Sequence, residues 1–295
     1  MNAALTETQV KEHILVWTLG GESIQTSYGT NCPAVVGPDA VLLVDPLIAP
    51  AYARQVEAAL RAHTAAPVRY VVLTHHHTDH TWGAAHFAAQ GAVVIAHRAC
   101  RERMIDEHPA LLESRRQQPE LRQLFADAAL VLPSLIYDES LVVHLGELEV
   151  ELWHPGHAHT PGDTFLFIPQ DGVAVCGDLL FSGYHFNYEH ASIPGAREGL
   201  RALQALDADT FIPGHGAVAG SEALEQQAAY HSAVEEIVRT GMAAGKDDAA
   251  LAEEIRSRFP DYRLGIVVPS SVVRMKEYLA TKEGLAGSSS ALTSQ

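Results

Sequence analysis

Cysteine is scarce in this chain. Its 295 residues include three, Cys32, Cys100 and Cys176, far apart and with no C-x-x-C. That argues against a disulfide framework and fits a reducing compartment. Basic residues are few as well, 20 Lys+Arg against 36 Asp+Glu, for a formal charge of −16. A phosphate backbone is held by Lys and Arg that displace counterions, so nucleic acid is not an expected partner. No apolar run approaches the ~20 residues that span a bilayer. The opening MNAALTETQVKEH has neither the basic stretch nor the apolar core of a secretory signal. A G-x-S-x-G nucleophile turn is absent too. These gaps leave the expectation of a soluble, cytoplasmic protein without a membrane partner.

What is present is a composition of globular type, 47% hydrophobic, long enough for one large α/β domain or two smaller ones. HILVWTL (13–19), NCPAVVG (31–37) and AVLLVD (40–45) read as strands. PAYARQVEAALRAH (50–63) has apolar residues at helical spacing, with Pro50 suited to a first turn. The strand VRYVVLT (68–74), a short helix near 82–90 and the strand AVVIAH (92–97) follow. Residues 98–130 are charged and helical, an insertion expected to break at Pro109 and Pro119. Strand signals return in LVVHLG, ELEVELWH, TFLFIP and VAVCGDLLF, then a helix over 197–207 and a closing strand DTFIPG (209–214). Strands followed by a helix and a strand thus occur twice, around 13–97 and 141–215. This order implies sheets covered by helices. The expected division is a catalytic domain over 1–220, a helical segment over 221–286 and a disordered small-residue tail over 287–295. The helical segment either packs on the core or forms a homodimer contact.

Chemistry concentrates in HHHTDHTWG (75–83), just after an apolar strand. Residues two apart on an extended segment point the same way, so His75 and His77 project together from the strand end and His76 points away. Imidazole suits zinc, iron and similar metals, and Asp79 and His80 stand where a second ion could sit beside the first. Further His and Asp residues lie in Gly- or Pro-shaped turns just past later strands: HTPGD (159–163), GDLLF (177–181) and PGHG (213–216). Ligands from several strand ends of one sheet edge can converge.

H-x-H-x-D-H at 75–80, H-T-P-G-D at 159–163, G-D at 177–178 and P-G-H-G at 213–216, in that order, resemble the metallo-β-lactamase-fold hydrolases. The resemblance covers roughly residues 13–220. It implies an α/β fold, a four-layer αβ/βα sandwich, here with a C-terminal helical extension. It assigns His75, His77 and His159 to one metal and Asp79, His80 and His215 to another, with Asp178 bridging both. In HPGHAHTPGD, His157 competes with His159 for the ligand position and otherwise lines the site. The implied cofactors are two divalent ions, zinc with iron or manganese as alternatives. Such a pair lowers the pKa of a bound water toward ~7, and the resulting hydroxide attacks a small carbonyl substrate: an ester, thioester, lactone or β-lactam. Asp79 and Asp178 are the expected catalytic carboxylates, with Asp79 orienting the nucleophile or moving a proton to the leaving group. The other reading of the same scaffold is a mononuclear iron-dependent oxidoreductase of the sulfur dioxygenase type.

Five residues are left with two readings each. Asp45, at the end of AVLLVD, either supports a histidine of the 75–80 loop or caps a turn before Pro46. Thr160 either bonds near the site or is an ordinary turn threonine. Tyr184, His185 and His190, in the loop after Asp178, either contact substrate or form plain loop surface.

Overall fold

The computed structural model describes residues 4–291, and side chains to residue 282. One sheet has seven strands in chain order: β1 (Thr6–Lys11), β2 (Ile14–Thr18), β3 (Asn31–Val36), β4 (Val41–Val44), β5 (Val68–Val72), β6 (Val93–His97) and β7 (Leu135–Tyr137). Helices α1 (Pro50–Leu60), α2 (Thr78–Thr81), α3 (Ala84–Ala88) and α4 (Arg98–Gln117) connect its later strands. The second sheet holds β8 (Ser140–Leu145), β9 (Leu148–Trp153), β10 (Phe165–Ile168), β11 (Val173–Ser182) and β12 (Thr210–Gly216), with α5 (Ile193–Gln204) crossing from β11 to β12. Helices α6 (Glu222–Ala243), α7 (Asp248–Arg258) and α8 (Val268–Ala291) follow. The last residues of the tail read from the sequence as disordered, 292–295, lie outside the described residues.

Alternation along the strands explains the layers. On β2, Ile14 and Val16 face the second sheet and meet Val150, Leu152 and Leu166 there. Leu15 and Trp17 turn the other way, under the helices that carry Val56, Phe87 and Met104. β4 repeats this, with Leu42 and Val44 inward and Val41 and Leu43 outward. A strand covered on both faces is apolar throughout, which is why these segments read as continuous hydrophobic runs. The second sheet buries its outer face, with Ala174 and Cys176, against Leu200, Leu203 and Leu224. The result is helix, sheet, sheet, helix. Among the described residues, no helix is long and apolar enough to cross a membrane.

Two sequence expectations change. Pro109 does not break the insertion: α4 runs through it and ends at Gln117, two residues before Pro119. The carbonyl that Pro109 leaves without its helical donor belongs to Ile105, on an exposed face, so its loss costs little. The insertion also stops being helical well before residue 130, because 118–132 form turns and extended chain.

The C-terminal helices pack on the core rather than beside it. β11 and β12 pair in parallel, but the register shifts on both sides of Gly177 and is not regained until Phe181. In this gap the buried Gln227 of α6 replaces a strand. Its Nε2 donates to the Leu179 carbonyl at 2.7 Å and its Oε1 accepts from the Phe181 N–H at 2.6 Å. Replacing Gln227 with Leu strands both backbone groups in an apolar setting, at about 1–3 kcal/mol each. Urea denaturation of Gln227→Leu should therefore show a loss of about 2–4 kcal/mol; a loss below about 0.5 kcal/mol would show that the gap needs no filling.

Candidate metal centre

The C-terminal ends of β5 and β12, the register gap of β11 and the turn before β10 come together, and the expected residues meet there. His75, His77, His159 and Asp178 offer ligand atoms all within 4.8 Å of one another, and so do Asp79, His80 and His215. All but His77 are buried. Asp178 stands between the sets. Its Oδ2 is 3.6 Å from His75 Nε2 and 3.2 Å from His159 Nε2, while its Oδ1 is 3.3 Å from His80 Nε2 and 3.4 Å from His215 Nε2. Asp79 Oδ2 completes the second set, 3.5 Å from both His80 Nε2 and His215 Nε2. The close approach of β12 depends on Gly214, where a Cβ would lie 1.9 Å from Asp178 Oδ1.

The outer edge of each ring fixes what its inner edge can do. His80 Nδ1 lies 2.8 Å from Asp45 Oδ2 and His215 Nδ1 lies 3.1 Å from the Tyr28 carbonyl, so both Nδ1 atoms donate. Thr74 Oγ1 gives its one proton to Asp45 Oδ2 at 2.6 Å and so accepts from His75 Nδ1 at 3.0 Å. The Nε2 atoms of His75, His80 and His215 therefore carry lone pairs aimed inward. They meet other ring nitrogens at close range: His75 Nε2 is 3.0 Å from His77 Nδ1, and His80 Nε2 is 3.3 Å from His215 Nε2. His159 Nε2 is also 3.0 Å from His77 Nδ1. Asp178 Oδ1 is buried with no hydrogen-bond partner. Converging lone pairs and an unsatisfied carboxylate oxygen form the donor set of a divalent transition cation, so the residues present fit metal.

The electrostatics agree. Burial pushes the pKa values of His75 and His77 well below the ordinary histidine value. Burial also opposes charge on His80 and His215, but Asp178 and Asp79 outweigh it and both values rise. Asp178 resists the upward push of burial because His215, His80 and His75 face it, and its value falls well below the carboxylate range. The field is thus negative where the two sets meet.

The surroundings place the other candidates. Asp45 has a left-handed backbone (φ 47°) and accepts from the Thr74 N–H at 2.8 Å as well as from His80, so one carboxylate orients two rings of the loop. His159, fully buried, joins the first set, whereas His157 is exposed and bonds the His190 carbonyl at 2.7 Å. Thr160 serves its turn, donating to Asp163 Oδ1 at 2.6 Å. His190 lines the cleft and lies 2.9 Å from His77 Nε2, so it orients a ring of the first set. Tyr184 and His185 do not reach the cleft, which corrects their expected substrate role. The Tyr184 hydroxyl donates to the Gly21 carbonyl at 2.9 Å, and His185 turns toward the C-terminal helices, 3.0 Å from the Tyr230 hydroxyl. His76 is also buried; its Nε2 is 3.3 Å from Glu107 Oε2, and burial pushes its pKa down to about 2.

Several contributors were not singled out from the sequence. Thr74 couples His75 to Asp45. Asp163 accepts from the Ala158 and Thr160 N–H groups and shapes the turn that presents His159. Ser27 donates to the Asp79 carbonyl at 3.1 Å, and Thr30 Oγ1 lies 2.8 Å from Asp79 Oδ2. Asp163 was visible in HTPGD, but nothing local in QTSYGTN marks contacts made 49 and 52 residues away. Outside these lies a cleft of about 630 Å³, lined by Tyr28, Glu107, Leu111, Arg115 and Ile266 among others. The insertion helix α4 and the turn before α8 supply two of its walls.

Changing Asp45 to Asn keeps the shape but weakens the hold on His75 and His80. Partners of this kind are worth 10–100-fold in metal affinity, so Asp45→Asn should lose about that much in a chelator competition. An unchanged affinity would show that Asp45 only shapes the turn.

A family model described as the metallo-beta-lactamase superfamily matches residues 26–215. The 2,4-dinitroanisole O-demethylase subunit alpha of Nocardioides sp. (strain JS1661) is 30% identical over 206 residues, 68% of this chain. The chain spans about half the length of that curated relative, 55%. Among solved structures, a metallo-beta-lactamase from Pontibacter korlensis superimposes with a TM-score of 0.65 at 16% identity, covering 78% of this chain and 99% of that one. The metallo-beta-lactamase FIM-1 from Pseudomonas aeruginosa, in its mono-zinc form, gives a TM-score of 0.59 at 23% identity over 77% of this chain and 95% of that one. With the family model spanning most of the chain and the same sandwich in these structures, the chain belongs to the metallo-beta-lactamase superfamily.

Proposed function

We propose that the chain is a dinuclear metal-dependent hydrolase of a small carbonyl compound: an ester, thioester, lactone or β-lactam. One observation carries the reading. Asp178 turns one oxygen to each of two His/Asp sets at the floor of a single open cleft. His75, His77 and His159 would hold one ion and Asp79, His80 and His215 the other, with Asp178 shared. Imidazole and carboxylate donors of this kind suit zinc, with iron or manganese as alternatives. Bound ions would supply Lewis acidity and a water of lowered pKa.

The remaining chemistry belongs to the chain. Asp79, with the Thr30 hydroxyl 2.8 Å from its Oδ2, lines the cleft and would take a proton from water and pass it to a leaving group. Tyr28 lines the cleft; burial and then the Asp79 charge raise the pKa of its hydroxyl, so it stays protonated and would donate to a developing oxyanion within reach. Asp45, Thr74 and His190 keep the rings from turning. A complete second set beside the first supports two metals over the single iron of a dioxygenase-type oxidoreductase. The demethylase relative adds one candidate reaction, since a nitroaryl methyl ether also presents an electron-poor carbon to attack. Three free, buried cysteines support the cytoplasm as the compartment.

The test is metal quantification together with a panel of β-lactams, acyl-homoserine lactones, S-lactoylglutathione, aryl esters and 2,4-dinitroanisole. The expected result is two ions per chain and hydrolysis of at least one class. Asp178→Ala should drop hydrolysis to the background rate and lower the metal content. One iron per chain with oxygen consumption, or an Asp178→Ala variant with two ions and full activity, would sink the reading.

A further inference from the structure

The cleft has an outer end that the proposed chemistry does not use. Ile266 is 76% exposed and Leu111, from α4, is 37% exposed, and both line this cleft. Exposed apolar residues are common, but Ile266 is held out by construction. It sits in the turn Gly265–Val267, entered through Leu264, whose φ of 62° is strained for a leucine. The turn is braced from three directions. The Leu264 N–H donates to Glu22 Oε2 at 2.8 Å, the Arg263 N–H donates to the Gly183 carbonyl at 3.0 Å, and Arg256 Nη2 donates to the Gly265 carbonyl at 3.1 Å. A strained and braced backbone that keeps isoleucine in water at the mouth of a reactive cleft has the form of a contact surface.

The third element is a charge. Arg115 is the one Lys or Arg among the residues lining the cleft. Its neighbours on α4 are engaged, Arg103 with Glu107 and Arg116 with the Phe125 carbonyl. Arg115 makes no side-chain hydrogen bond or ion pair among the described residues, and its charge reaches the Tyr28 hydroxyl, where it opposes that of Asp79. In a chain of formal charge −16, a cation left without a partner inside a cleft is available to an anion.

We propose that Ile266, Leu111 and Arg115 form the recognition end of this cleft and select an anionic amphiphile. Its bulky apolar body lies between Ile266 and Leu111, a carboxylate or sulfonate lies against Arg115, and the bond to be cut reaches the metal-facing residues. The hydrolytic reading above is needed for which bond is cut, not for what is bound.

The test uses the metal-loaded full chain and two fluorescent probes that differ by one group: anionic 1-anilinonaphthalene-8-sulfonate and its neutral parent N-phenyl-1-naphthylamine. The native protein should bind the anion at least about tenfold more tightly than the neutral probe. Arg115→Gln should close that gap, weakening the anion about tenfold and leaving the neutral probe unchanged. Ile266→Ser should weaken both about tenfold, as for lost apolar contact in a pocket. None of the three side chains is buried, so an unchanged melting curve is expected and checks the fold. An Arg115→Gln variant with the native ratio of the two affinities, or an Ile266→Ser variant with both affinities native, overturns the proposal. Binding is read without turnover, so failure of the hydrolysis panel leaves these outcomes distinct.

Discussion

The constraint on which this structure turns is the confrontation of ring nitrogens at 3.0–3.3 Å across the ends of two sheets. Buried ring nitrogens do not gather this closely around carboxylates of their own accord. They are held there by what grips their outer edges: Asp45 for His80, Thr74 for His75, the Tyr28 carbonyl for His215 and His190 for His77. A cation held by these residues would turn that crowding into coordination. The centre is therefore preorganised by residues that never touch the ion, which is the general way metal sites keep ring orientation and basicity.

The sandwich serves that arrangement. β11 must carry Asp178 to the seam between the two sets, and the strand cannot both reach the seam and keep an unbroken ladder with β12. The break is closed by Gln227 from outside the family-matched span. The histidine loop is fixed in a similar way. His108 of α4 accepts from the Trp82 indole at 3.2 Å and donates to the His76 carbonyl at 2.6 Å, so the insertion helix pins the backbone between His75 and His77. Insertion and extension are thus parts of the centre's support as well as walls of its cleft.

How much of this could be read from the sequence follows from distance along the chain. Sheets covered by helices were legible because strands covered on both faces are apolar runs, and the four-layer sandwich followed from the family resemblance. The donors were legible because each sits in a short His- or Asp-bearing motif beside Gly or Pro, although Asp178 and His215 prove to lie within β11 and β12 rather than past them. What escaped was long-range or weakly patterned. β1, mostly exposed and polar, has no hydrophobic signal. Ser27 and Thr30 act on Asp79 from a segment whose own residues give only turn chemistry. Tyr184 and His185 looked like substrate contacts because they follow Asp178 closely, yet a β-bridge from Tyr184 to Arg263 turns that stretch toward the extension. His190, a few residues on, does face the cleft. Proximity in sequence could not separate them.

The Gln227 contact also bears on the order in which the protein comes into being. A chain is made from its N-terminus, and domains tend to fold as they emerge. His215 completes the set of donors, but the Phe181 N–H and Leu179 carbonyl beside Asp178 gain their partner only when α6 has been made. The brace on Ile266 comes later still, when Leu264 meets Glu22 across almost the whole length of the chain. A nascent chain would thus hold every donor before it holds a finished seam or a finished cleft mouth. The seam and the cleft mouth are thus finished by residues that lie further along the chain than the last donor.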